Sequence, residues 1–201
     1  MRWDRFFDDL EDQLASEWEA ERAALDTEAE RLRLSRVALH ERLSALVGHE
    51  AAASAVAFEF ADGTVLRAAV TGVGADWVAL QPAEGRVAAV VAPFSSIASI
   101  GMPHHDLLRS ARPAPARTSL AERLTFGFVL RDLVRRRSGV AVHLTSGRAL
   151  TGTIDRAGAD HLDLALHEPG APRRADAVSG HRIVPFAAVA WIGVDGASAI
   201  R

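Results

Sequence analysis

The sequence contains no cysteine, which excludes disulfides, thiolate metal sites and cysteine nucleophiles. Lysine, asparagine and tyrosine are missing too, and all 23 basic side chains are arginine. A GC-rich coding bias accounts for that choice more simply than a functional demand. Aromatics make up only 6% of the 201 residues, so a core has to be assembled mainly from Val, Leu, Ile and Ala. No run approaches the roughly 20 apolar residues of a membrane-crossing helix. The richest, Val87 to Met102, is broken by Pro93, Ser95 and Ser96. The opening MRWDRFFDDLEDQL is acidic and lacks the apolar stretch of a secretory leader, so the expected address is cytoplasmic, with no membrane association. What is present suffices for a globular protein: 49% hydrophobic residues, and a net charge of −3 that gives no global reason to expect nucleic acid.

An internal repeat organises the chain. Val56-AFEFADGTVLRAAVTGVGADWVA-Leu80 lies over Val140-AVHLTSGRALTGTIDRAGADHLD-Leu164 at a constant offset of 84, with eight of 25 positions identical. Further on, Ala92-PFSSIASI-Gly101 matches Val184-PFAAVAWI-Gly193, and upstream Leu39-HER-Leu43 resembles Leu120-AER-Leu124. Each copy reads as five short strands. In the second, Val142 and Leu144 alternate as in a half-buried strand, and Thr145-Ser-Gly147 supplies a hairpin turn. Gly152 marks a bend or a close backbone approach in the next strand, and Leu162, Leu164 and Leu166 line a third.

Helices are expected before each strand set. Ser119-x-x-Glu122 has capping-box spacing and opens a helix with an apolar stripe through Leu120, Leu124, Phe128, Leu130 and Val134, ending at Arg135-Arg-Arg137. Near the N-terminus, Trp3, Phe7, Leu10, Leu14, Trp18, Leu25 and Leu32 recur at helical spacing. Thr27-x-x-Glu30 suggests a break near Asp26, with a second helix running to about Val47. The Pro113/Pro115 stretch reads as a linker.

A helix followed by five bent strands, with Val142-x-Leu144, Gly147, Gly152, Ile154, Leu162 and Leu164, resembles the Sm-like (LSm/Hfq) family. The first copy keeps Gly63 and Leu66 but has Ala68 in place of the second glycine. The resemblance implies small barrels that associate through their edges, and RNA as a family ligand. The family's RNA-reading loops do not carry over: here they are Gly74-Ala-Asp76 or Gly158-Ala-Asp160, and Pro93-Phe94 or Pro185-Phe186.

The expectation is therefore an α+β, mostly β chain of two tandem Sm-like or SH3-like five-stranded barrels, each preceded by a helix. Residues 1–35 form an acidic amphipathic helix, 36–102 the first helix and barrel, 103–118 an Arg/Pro linker, 119–194 the second helix and barrel, and 195–201 a tail. The function expected is non-catalytic: self-association or protein binding through the barrels and through an aromatic helix face at Trp3, Phe6, Phe7, Leu10, Leu14 and Trp18. RNA binding through Arg109, Arg112, Arg117, Arg131, Arg135, Arg136 and Arg137 is the alternative, since this segment is strongly basic. Against it, the last three Arg cap a helix and the others answer the acidic N-terminal helix. Asp76 and Asp160 read as turn residues bonding their own backbone, His104-His105-Asp106 as a solvated loop, and Phe94 and Phe186 as plugs at a barrel end. No catalytic residue, cofactor, metal or small-molecule substrate is expected.

Overall fold

The computed structural model describes residues 2–48, 56–85, 87–112, 123–170, 174 and 176–195, with the side chains of 2–17 and 20 outside that description. Two compact units divide at Ala38. The first is a single helix, α1 (Arg2–Ser35). It runs through the expected break: the Thr27 hydroxyl donates back to the Ala23 carbonyl, four residues earlier, and caps nothing. Trp18, Leu25 and Leu32, seven residues apart, are all exposed, with Trp18 at 66%.

The second unit holds α2 (Leu39–Ser44), β1 (Val56–Phe60), β2 (Val65–Val73), β3 (Trp77–Pro82), β4 (Ala89–Pro93), β5 (Ile97–Gly101) and α3 (His104–Ser110). It continues with α4 (Phe126–Arg136), β6 (Gly139–Leu144), β7 (Ala149–Ala157), β8 (His161–Leu166), β9 (Gly180–Pro185) and β10 (Val189–Val194). The strands form one antiparallel sheet in the order β5-β1-β2-β3-β4-β10-β6-β7-β8-β9. The repeat is preserved down to its register. Val56 faces Ala68 as Val140 faces Gly152, and Val70 faces Leu80 as Ile154 faces Leu164. A bulge follows at Val70/Gly72 in one copy and at Ile154/Arg156 in the other. Gly63 and Gly147 close equivalent hairpins, both at φ 81, a conformation glycine adopts without steric cost.

This sheet replaces the two closed barrels expected from the sequence. Closing each five-strand set would require β4 to pair with β5, and β9 with β10. Instead β4 gives its second edge to β10, with Ile192 opposite Val91, Gly193 opposite Val90 and Val194 opposite Ala89. The two strands are apolar enough to be buried against each other, so hydrogen bonds that would close one copy join the two copies.

Each half keeps its own core. Phe58, Phe60, Val78, Leu80 and Val90 gather with Leu43 and Leu46 in the first. Val142, Ile154, Leu162, Leu164 and Ile192 gather with Phe126, Leu130 and Leu133 of α4 in the second. The cores interlock at the junction: Trp77, Ala79 and Val91 of the first copy belong to the second core, while Ala190 and Trp191 of the second belong to the first.

The helix of the second copy, α4, begins only at Phe126, after an extended Thr125, so Leu124 lies ahead of it rather than on its expected apolar stripe, and its cap comes from the other copy. The Asp76 carboxylate accepts the Phe126 N–H at 2.6 Å, setting a negative charge at the helix N-terminus. Asp76 is therefore a tie between copies rather than a local turn residue. Asp76→Ala is expected to lower unfolding stability by about 1 kcal/mol, read from the denaturant midpoint; an unchanged midpoint would remove the cap from the account. Residues 119–122 of the expected capping box lie outside the described residues.

Candidate interaction surfaces

The junction shows what these strands look like when paired. Every residue of β10 is buried, as are Val90, Val91, Ala92 and Pro93 of β4. A small polar network pins its outer face. Trp191 Nε1 donates to Asp62 Oδ2 at 3.1 Å, and the His143 ring stacks on the indole with centroids 3.5 Å apart. Asp62 also accepts from Thr64 through its N–H and hydroxyl, at 2.9 and 3.0 Å.

Burial holds the His143 pKa below the ordinary histidine range, against the opposing pull of the Asp62 charge. The unfolded chain therefore takes up this proton first as the pH falls. The stability tied to neutral His143 is complete above the ordinary histidine value and drains away as the pH drops through the lowered one. Unfolding midpoints measured from about pH 8 to 5 should fall less steeply in His143→Phe than in the parent chain. Parallel curves would show that His143 titrates without consequence.

The same two strand types stand open at the ends of the sheet. β9, equivalent to β4, exposes His181, Arg182 and Ile183, the last at 74%. β5, equivalent to β10, exposes Ala98, Ser99 and Gly101. Among the described residues no strand pairs with the outer edge of either. A concavity beside each edge has its own character. Next to β5, an apolar cavity of about 280 Å3 is walled by Leu39, Leu43 and Leu46 of the α2 segment, Ile97 and Ile100 of β5, and Leu107 of α3. Next to β9, a broad polar groove of about 980 Å3 gathers Arg135, Arg137, Arg156 and Arg182 with His181, Asp155 and Asp163.

The predicted arginines are scattered by comparison. Arg135 and Arg136 both grip Asp132, Arg136 at 2.6 Å. Arg137 closes α4 in a left-handed conformation at φ 51. Arg131 reaches the Gly158 carbonyl at 3.5 Å. Arg109 lies 2.8 Å from the fully buried Asp106 carboxylate, so it serves an ion pair within α3. Arg112 is exposed just after α3, and Arg117 lies outside the described residues. Among the described ones, Arg135 and Arg137 share the groove beside β9, joined there by Arg156 and Arg182, which sequence reasoning did not single out.

Two other expectations change. His104-His105-Asp106 opens α3 rather than a solvated loop, because Asp106 is buried against Arg109. Among the described residues no three His, Asp or Glu side chains are grouped to hold a metal ion. Phe94 and Phe186 pack at the margins of the two cores, with Phe186 edge-on to Phe126 at 5.5 Å; no barrel end exists for them to plug. Of the N-terminal partner residues, Trp3, Phe6, Phe7, Leu10 and Leu14 have side chains outside the description, leaving exposed Trp18. No described helix is long and apolar enough to cross a membrane.

No family model matches the chain, nor does any curated protein or solved structure.

Proposed function

We propose that the protein is a non-catalytic assembly protein whose working surfaces are the open edges of its sheet. One observation carries the reading. β4 and β10 bury one another at the junction, while among the described residues no strand pairs with the outer edges of their counterparts β9 and β5. An unpaired edge is a template for another strand unless it is blunted, and adding a strand is a common way to bind protein. The exposed Trp18, Leu25 and Leu32 stripe on α1 offers a further apolar surface for a partner. Light scattering over a wide concentration range tests the edge reading: mass should rise with concentration. A concentration-independent monomer would remove self-association.

The groove beside β9 favours a second reading, RNA binding through phosphate contacts, because four arginines face two aspartates there. Binding of a labelled single-stranded RNA should weaken steeply with salt, and weaken again in Arg137→Ala/Arg156→Ala. No binding at low salt would end this reading.

A further inference from the structure

The internal junction specifies how a second molecule would add, and this step rests on the edge-assembly reading above. Ile183 stands where Val91 stands in the first copy, by the repeat offset of 92 that aligns Val184 with Ala92; Arg182 then matches Val90 and His181 matches Ala89. On the other side, Ile100, Gly101 and Met102 match Ile192, Gly193 and Val194. Since Ile192 pairs with Val91 and Gly193 with Val90, a copied junction would place Ile183 opposite Ile100 and Arg182 opposite Gly101.

The side chains at those positions fit that register on both faces of the sheet. Ile183 would lie on the face of Ile100, which pairs with buried Phe58. That face opens into the apolar cavity between α2, β5 and α3. At the internal junction the corresponding Val91 is wholly buried in the core that contains α4. Beside Ile183, Asp163 on β8 would approach Arg42, which forms part of the cavity wall. On the other face, Arg182 would cross Gly101 and Ala57, both small, towards Glu59, which is exposed and held by Ser99 Oγ at 2.6 Å. An apolar plug with a seat and two pairs of opposite charge are thus brought together by one register.

We infer that a second copy of this chain is the occupant of the β5 edge, adding head to tail through its β9, with Ile183 in the α2/β5/α3 cavity and Arg182 directed at Glu59. Such a contact joins two different surfaces, so it propagates to a ring or a filament rather than stopping at two.

The test uses the full chain with Ile183→Arg, which blocks β9, and Glu59→Arg, which blocks β5. Both positions are exposed, and unchanged unfolding midpoints would confirm intact folding. Each variant alone should associate about a hundredfold more weakly than the parent. Mixed in equal amounts they should form a dimer and nothing larger, because one intact β9 meets one intact β5. If the parent associates but either variant alone associates as well as it does, the register is overturned and assembly uses another surface. If both variants and their mixture stay monomeric, the head-to-tail arrangement is overturned. If the parent itself is a monomer at every concentration, the edge-assembly reading fails first.

Discussion

Trp191→Ala should lower unfolding stability by about 3–5 kcal/mol, the range for emptying a buried aromatic site. The indole is only 8% exposed and sits where the halves meet. Its strand belongs to the second copy, but the ring joins the first copy's core, 6.3 Å from Phe60. Truncation would open a cavity on one side of the junction, leave His143 without its stacking partner and free Asp62 of one donor. Denaturant unfolding followed by far-UV circular dichroism measures the loss. Trp191→Phe separates the two contributions, since it keeps most of the volume and removes only the indole donor, at about 1 kcal/mol. Equal losses in the two variants would show that the hydrogen bond, not the packing, holds the junction.

Gly152→Ala is expected to cost about 3 kcal/mol, at the upper end for overpacking. A methyl there would lie 1.9 Å from the Ala165 carbonyl oxygen and 2.9 Å from its carbon. Both are backbone atoms of the neighbouring strand, so no rotamer change relieves the clash; β7 and β8 must separate. The matching residue in the first copy, Ala68, carries its methyl fully buried opposite Pro82, so the two copies have settled the same point of their sheets differently. The readout is again the unfolding midpoint, with insolubility of the variant counting as the predicted loss. A midpoint within about 0.5 kcal/mol of the parent would mean that the strands have more slack than the contact distance allows.

These residues also show how far the sequence could be read. The duplication was legible because a strand's register leaves a fixed spacing between glycines and apolar residues, and both copies keep it through the same bulge. The close approach at Gly152 was legible for the same reason. Closure was not. Alternation reports which face of a strand is buried, and it does not say which strand takes its outer edge. The β4–β10 ladder joins residues about a hundred positions apart, with no local signature. Helix ends misled in a similar way: Thr27 has the spacing of a cap but bonds back into its own helix, whereas the Phe126 N–H is met by an aspartate fifty residues upstream. Arg156, Arg182 and Ile183 escaped notice because each looks ordinary alone. Setting His181-Arg-Ile183 beside Ala89-Val-Val91 would have revealed the last two, since a buried apolar edge in one copy has become a charged, exposed one in the other.

The Asp76 cap on α4 makes the halves mutually dependent. The second half's helix starts on a carboxylate it does not own, and the first half's Trp77 Nε1 donates to the Leu124 carbonyl just ahead of that helix. Either half expressed alone would present a bare flank, Trp77 and Val91 on one side or Trp191 and Ile192 on the other. Fragments 1–112 and 113–201, produced separately and mixed, should therefore migrate as a single particle, held by the β4–β10 ladder and the Asp76 cap.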